Sequence, residues 1–543
     1  MKKINLVILA LLVAAGLVLG VITMRAPASS AVSRFNVQNM IDDDKVLSQD
    51  IHSVAAQDAL AANRAYLVQR LADLGMNPQI LTYPDVQSVY INETIPINDI
   101  YAATPGNFSS YILLVAHYDS SPGHRSAEDS GSHGAADDAY GCTAILELSR
   151  LIMEDARQAA LVNGIKVLFT DDEETNMAGS EDAARDPKVM ENVSCVLNLE
   201  ARGVRGPVVM FETSKNNAAL INLYAKAKNP YTYSLATAVY RVMPNDTDFT
   251  NFTAQGYSGL NFANLETLYY YHNHNDNFSN INADTMRQYG DNIYPMLREF
   301  TTNIAYSDVN WAKAGSDSTA FSILPGGVMI VYSSAVGMIL LAAMLLAVAL
   351  MLFFAAQKKL LKQTLLWAAK WLGAALGAAA LGVLVSFIVS WVSGIPFKIT
   401  YIPNVSYAGV LIIVTVVLVA LIMSFLAFRS ARKGGDPAAM LAGGVALQAA
   451  LTLVFTFVLP GGAFLFLFPA IIFALSAILL LRSKFGRVPA ALGIFYTVLL
   501  FTPLLMLFNI ALTVGALCVI LLLSALAMAA AVPAGLAVLR KTK

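Results

Sequence analysis

The segment "KVLFTDDEETNMAGS", residues 166–180, sets four carboxylates side by side, Asp171, Asp172, Glu173 and Glu174, at the end of an apolar run. Like charges this close repel, so they either face water or surround something cationic. Two other apolar runs end in the same manner: "YILLVAHYDS" (111–120) in His117 and Asp119, and "CVLNLEARG" (195–203) in Glu200. "GAADDAYG" (134–141) and "YYYHNHNDNFSNI" (269–281) add Asp137, Asp138, His272 and His274. Imidazoles and carboxylates without cysteine form a donor set suited to zinc, with cobalt or manganese as substitutes. Carboxylates able to bridge suit two metals roughly 3.5–4 Å apart. A glutamate adjacent in sequence to a ligand would then serve as general base.

Each word also has a plainer reading. Residues two apart on an extended segment face the same side, so Asp119 can fix the tautomer of a ligating His117. The alternative is a surface histidine beside a turn acid. Asp137 or Asp138 suits a helix N-cap, an acidic pair such as Glu173-Glu174 suits a solvated helix start, and one of His272 and His274 is ordinary. Glu200 is hardest to dismiss, because apolar residues surround it. Glu212, ending "VVMFETS" (208–214), suits a contact to a substrate amine, although a surface acid at a strand end is the commoner case.

The elements that must position these groups follow from periodicity. "DALAANRAYLVQRLADLGM" (58–76) carries Leu60, Leu67, Leu71 and Leu74 on one helical stripe and Gly75 as a stop. "CTAILELSRLIMEDA" (142–156) is helical in pattern, and it falls between fully apolar runs of strand length. Strand–helix–strand order with apolar strands predicts an α/β fold, a mostly parallel mixed sheet covered by helices on both faces. In such sheets ligands bind beyond the carboxyl ends of the strands, which is where the acids and His117 fall.

Composition divides the 543 residues in two. Residues 1–317 hold 36 of the 37 Asp+Glu, 22 of the 36 Lys+Arg and all six histidines; beyond them stand 14 Lys+Arg and one acid, Asp436. The second part is expected to be an all-α polytopic membrane domain. It has seven apolar segments long enough to cross a bilayer, at about 328–356, 367–392, 407–428, 438–458, 464–481, 489–508 and 514–538. An eighth, residues 4–24 behind Lys2 and Lys3, exceeds the apolar core of a signal peptide and reads as an uncleaved anchor, with "APASSA" (26–31) as the site of the rival, cleaved reading. The domain reading is therefore 1–27 anchor, 28–325 extracytoplasmic domain, 326–543 membrane domain. Lys2-Lys3, "KKLLK" (358–362), "RSARK" (429–433), "RSKFGR" (482–487) and "RKTK" (540–543) share one side, which the positive-inside rule makes cytoplasmic. The spans contain no carboxylate or histidine, which argues against a proton-coupled transporter. Cys142 and Cys195 sit in apolar surroundings and read as buried free thiols.

Across roughly 110–285 the words "AHYDS", "GAADDAYG", "DDEETNMAGS", "NLEARG" and "YHNHND" resemble, in order and spacing, the co-catalytic zinc exopeptidases that include bacterial leucyl aminopeptidases, aminopeptidase Y and the glutamate carboxypeptidase II group. The membrane arrangement resembles that of fungal vacuolar membrane proteases and animal endoplasmic-reticulum metallopeptidases. The resemblance implies two zinc ions. His117 and Glu200 would bind one, Glu174 and His272 the other, and Asp137 would bridge them across a cis peptide to Asp138. Asp119 would support His117, Asp246 of "NDTD" (245–248) would support the site, and Glu173 would be the general base. The implied function is a membrane-bound aminopeptidase that cleaves N-terminal residues from peptides with a metal-activated water. A one-zinc glutaminyl cyclase and a catalytically silent protein-binding relative are the rivals. Peptides and the lipid bilayer are the expected partners, with a membrane protein or a second copy able to dock on the helical bundle, and no nucleic acid. The expected location is a bacterial inner membrane facing the periplasm, or an organelle lumen. His52, His124, His133 and His274 match no family position. "DIHSVAAQD" (50–58) stands where relatives carry a "PHPxGS"-like stretch, Tyr140 where serine or glycine is commoner, and the loop 120–134 is long and polar.

Overall fold

The computed structural model describes residues 2–24, 34–88, 90, 92–123, 131–241, 243, 245–315, 320–398, 405 and 407–539. "APASSA", His124 and the terminal "RKTK" lie outside the described residues. The chain forms two compact units, one combining Met1–Met24 with Ser334–Lys543, the other Arg25–Ser333. Helix α1 (Lys2–Thr23) belongs to the first.

In the second unit, α2 (Val37–Leu47) and α3 (Gln57–Asp73) precede strands β1 (Gln79–Gln87), β2 (Thr94–Ala103) and β3 (Tyr111–His117). Then come α4 (Ala139–Gln158), β4 (Gly164–Thr170), the short α5 (Ala178–Ala183) and α6 (Pro187–Met190), β5 (Val193–Ala201) and β6 (Arg205–Thr213). Helices α7 (Ala218–Tyr224), α8 (Ser234–Tyr240) and α9 (Asp248–Ala254), strand β7 (Gly259–Glu266), α10 (Ala283–Thr302) and a hairpin of β8 (Ala320–Leu324) and β9 (Val328–Tyr332) complete it.

The sheet runs β1-β2-β4-β3-β5-β7-β6. Its centre, β4-β3-β5-β7, is parallel, and antiparallel pairs close both edges. Strands β3, β4 and β5 are buried along their whole length, so both faces need cover. Alternation along each strand delivers it. Ile112, Leu114, Ala116, Leu197 and Leu199 pack with Leu60, Leu67 and Leu71 of α3 and with α4 and α10. Leu113, Val115, Leu168 and Val196 face the other way, onto Val189, Phe249 and Phe252. The leucine stripe of α3 is buried as its spacing predicts, and Gly75, at φ +84, ends the helix. Cys142 and Cys195 are buried free thiols.

The other unit is helical: α11 (Ser334–Gln357), α12 (Leu361–Ser393), α13 (Ala408–Arg432), α14 (Pro437–Val458), α15 (Phe464–Arg482), α16 (Arg487–Leu512) and α17 (Leu517–Leu539). Seven stretches are long and apolar enough to cross a bilayer, and the last, Arg487–Leu539, contains both α16 and α17. Small residues let these helices approach closely. A Cβ on Gly444 would lie 2.2 Å from the carbonyl oxygen of Ala529, and one on Gly20 would lie 2.7 Å from Cβ of Thr502, so α1 is seated against α16. Residues 328–332 were expected at the start of a span and instead form β9, within the Arg25–Ser333 unit. The turn "PGG" (325–327), with Gly326 and Gly327 at positive φ, folds two short apolar runs into a hairpin. Apolar composition alone does not separate such a strand from a helix start.

Candidate metal centre

The parallel register sets His117 opposite Thr170, the last residue of β4, and Val115 opposite Asn198. Three strand ends therefore open at one edge, and the groups they carry meet there. His117 Nε2 lies 3.3 Å from Asp137 Oδ1, 3.6 Å from Glu200 Oε2 and 3.9 Å from Glu173 Oε2. His272 Nε2 lies 3.3 Å from Asp137 Oδ2 and 3.0 Å from Glu174 Oε2. Asp137 thus turns one oxygen toward each imidazole. Donor atoms within 4.8 Å of one another form three sets: Asp137, Glu174 and His272; His117, Glu173 and Glu174; and His117, Asp138 and Glu200.

The four adjacent carboxylates of the 171–174 turn diverge. Asp171 accepts from the Asn98 N–H (3.0 Å) and the Tyr118 hydroxyl (3.1 Å), with Arg64 at 3.7 Å. Asp172, at φ +62, turns back onto the Thr175 hydroxyl and the Asn176 amide. Only Glu173 and Glu174 reach the cluster. Asp137 and Asp138 divide their work too. Their peptide is cis, and Asp138 caps α4 by accepting from the Gly141 N–H at 3.0 Å while Asp137 faces the imidazoles.

The electrostatics are those of a cation site. Burial is the largest single influence on both imidazoles and lowers them, yet the surrounding carboxylates together outweigh it, Glu173, Asp119, Asp137 and Glu200 around His117 and Glu174 and Asp137 around His272, leaving His117 well above its ordinary value and His272 at about 10. Burial raises Glu173 well above the carboxylate range and Glu174 to about 7, against the opposing pull of His117 and His272. Burial acts upward on Asp137 as well, but the two imidazoles hold it below the usual range. The field thus favours positive charge between the two histidines. Asp137 Oδ2, Glu174 Oε1 and His272 Nε2 are buried without a hydrogen-bond partner. Unsatisfied nitrogen and oxygen donors converging on common points are what a divalent metal of the zinc type requires, so the residues fit the group.

Several residues act differently from expectation. The Asp119 carboxylate lies 3.6 Å from His117 Nδ1, too far for a hydrogen bond, and it is the Asp119 carbonyl oxygen that meets Nδ1 at 2.9 Å. Strand β3 ends at His117, so the alternation assumed for residues 117 and 119 does not extend that far. The Asp119 carboxylate instead accepts the backbone N–H groups of Glu173 (3.0 Å) and Glu174 (3.2 Å), holding the turn that presents both glutamates. In "NDTD" the inward acid is Asp248, not Asp246. Thr247 forms a capping box with Thr250, which buries Asp248 against the Thr170 hydroxyl and leaves Asp246 exposed. Sequence reasoning missed Asp276, which accepts from the N–H groups of Ala136 (2.7 Å) and Asp137 (3.2 Å) and from the Ser132 hydroxyl (3.0 Å). Its place at the end of "YHNHND" was the only signal. Tyr271 stacks on His272 with ring centroids 3.5 Å apart, and Arg202 lies 5.5 Å from the Tyr271 centroid. Glu212 meets the Asn261 amide at 3.0 Å, and Asn198 joins Asn261 to Glu200, so this acid is wired to the cluster. His274 is exposed, and the ring Nδ1 atoms of His52 and His133 meet backbone carbonyls of Asp50 and Ser48.

Comparison with known proteins bears on the part of the chain that holds the cluster. Over 235 residues the chain is 31% identical to mouse endoplasmic reticulum metallopeptidase 1, covering 42% of this chain and 25% of that protein. Over 199 residues it is 27% identical to the vacuolar membrane protease of Candida dubliniensis, covering 36% of this chain and 19% of that one. The chain thus spans about a fifth to a quarter of the length of these curated relatives. Porphyromonas gingivalis glutaminyl cyclase is similar in structure at 18% identity and a TM-score of 0.39, over 49% of this chain and 99% of that chain. The family model of peptidase family M28 matches residues 99–297, a span that holds every group of the cluster, and the chain carries a peptidase family M28 domain there.

Proposed function

We propose that this chain is a membrane-bound, zinc-dependent exopeptidase that removes N-terminal residues from peptides. The observation that carries the reading is Asp137 placed between two histidines, one carboxylate oxygen toward each, with Glu200 beside the first and Glu174 beside the second. That arrangement supports two metal positions, His117–Glu200 and Glu174–His272, bridged by Asp137. Zinc held there would supply Lewis-acid activation of water and of the peptide carbonyl. The remaining chemistry belongs to the chain. Glu173, its carboxylate 3.9 Å from His117 Nε2 at the cluster, takes a proton from the attacking water and passes it to the departing amine as the C–N bond breaks. Asp119 keeps Glu173 and Glu174 aimed by holding their backbone, and Asp276 does the same for Ala136 and Asp137. Glu212 is the acid we assign to the substrate's α-amine.

The bundle and α1 would span the membrane, with the basic ends cytoplasmic and the peptidase domain outside, in the periplasm or an organelle lumen. A glutaminyl cyclase would use one metal and leave half of the donor set idle. The test uses the full chain in detergent, with metal analysis and hydrolysis of aminoacyl reporters before and after chelation. Glu173→Gln should keep two zinc ions while turnover falls by at least about 10²–10⁴-fold, the usual contribution of a general base. Full turnover in that variant removes Glu173 from the reaction. One zinc per chain, with pyroglutamate formed from Gln peptides, replaces the aminopeptidase with the cyclase.

A further inference from the structure

A basic cleft lies in the helical unit. A cleft of about 660 Å³ opens between α12 and the end of α13, lined among others by Trp367, Lys370, Trp371, Arg429 and Lys433. Among the described residues no carboxylate pairs with any of these three cations, and Lys370 rests on the face of Trp367 at 4.7 Å. Arg429 and Lys433 alone would be ordinary, since cations suit the last turn of a helix. Lys370 is different: it lies well inside α12, in a unit with one acidic residue, and shares the cleft with them. Three like charges around one exposed opening make it a favourable place for an anion. Trp367 and Trp371 are buried, and the Trp371 indole N–H is committed to the Met440 carbonyl at 3.1 Å, so the cleft has a fixed aromatic wall beside its cations.

We propose that this cleft binds the phosphate headgroup of an anionic phospholipid, with Lys370, Arg429 and Lys433 on the phosphate and the tryptophan wall against the glycerol and upper acyl chain. A lipid fits better than a free anion because the same cleft offers Leu366, Ala374 and Leu426 for an apolar tail, and basic pockets between spans at a cytoplasmic surface are the setting in which such lipids bind. The site is independent of the peptidase chemistry and rests on the bundle lying in a bilayer with its basic ends cytoplasmic, as proposed above.

Native mass spectrometry of the full chain in detergent, titrated with phosphatidylglycerol, with phosphatidylcholine and with inorganic phosphate, separates the sources. Phosphatidylglycerol should be retained at least about tenfold more strongly than phosphatidylcholine, since basic contacts near a membrane surface each add substantially to anionic-lipid affinity. Lys370→Gln/Arg429→Gln/Lys433→Gln should abolish that preference. Lys370→Arg/Arg429→Lys/Lys433→Arg should keep it, which separates charge from folding. Lys358→Gln/Lys359→Gln/Lys362→Gln, removing three charges outside the cleft, should also keep it. Equal retention of the two lipids overturns the proposal. So does inorganic phosphate displacing phosphatidylglycerol at equal concentration, or loss of preference in the Lys358/Lys359/Lys362 variant.

Discussion

Asp119→Asn is the substitution that best separates two accounts of the candidate metal centre. If the Asp119 carboxylate fixed the His117 tautomer, an amide in its place would disturb the imidazole directly. The geometry assigns that work to the Asp119 carbonyl, which no side-chain change removes, and gives the carboxylate two other bonds, to the N–H groups of Glu173 and Glu174. An asparagine keeps one acceptor oxygen and turns an NH₂ toward the second N–H. A hydrogen bond to a charged group contributes about 1.5–3 kcal/mol, so losing one lowers the population of the productive turn roughly 10- to 100-fold. Both kcat/KM and zinc affinity, read by chelator competition on the full chain, should fall by that factor, because Glu173 and Glu174 move together. Asp119→Ala loses both bonds and should fall further on both readouts. The pH profile of the remaining activity should keep its shape. A change below twofold would show that the turn holds itself. A loss of about 10⁴-fold with zinc fully retained would mean that Asp119 handles a proton itself, and the positioning role would be wrong.

Other outcomes follow from the same geometry. His272→Ala should lower the zinc content from two to one per chain, whereas His274→Ala, at an exposed position two residues on, should change neither zinc nor turnover. Asp276→Ala strands two buried N–H groups at about 1–3 kcal/mol each, so zinc affinity should drop while Asp276→Asn, which keeps an acceptor, loses less. Lys166 is buried on β4 with its ammonium on the carbonyls of Val189 (2.8 Å) and Glu191 (2.7 Å), and burial lowers it to about 8. Its folded value lies below its unfolded one, so the unfolded chain binds more protons between about pH 8 and 10.5 and stability from this group rises across that window. Thermal scans of Lys166→Met should lack that rise.

Part of the candidate site was legible because His117, Glu173, Glu174 and Glu200 stand at the ends of recognisable apolar runs. Strands β3, β4 and β5 announce themselves by length and composition, and the rule that ligands gather beyond parallel strand ends pointed to the sheet edge where these groups meet. Asp119 and Asp246 show where such reading stops. A pleat that ends two residues early, or a capping box that turns one aspartate inward and its neighbour outward, depends on backbone direction rather than residue type. Asp276 was out of reach because it binds backbone N–H groups about 140 positions away, and backbone groups leave no mark in a sequence.

By itself the amino-acid order determined the partition into an acidic α/β part and a basic apolar part, the strands that carry His117, Glu173, Glu174 and Glu200, and a set of residue types suited to zinc. Only the folded chain decided which of the four consecutive carboxylates enter the cluster, which of Asp137 and Asp138 faces the histidines, and that three cations of the helical unit line one cleft. The reason is physical: periodicity encodes what is buried, whereas the aim of a polar side chain is set by partners that tertiary packing alone brings within hydrogen-bonding distance.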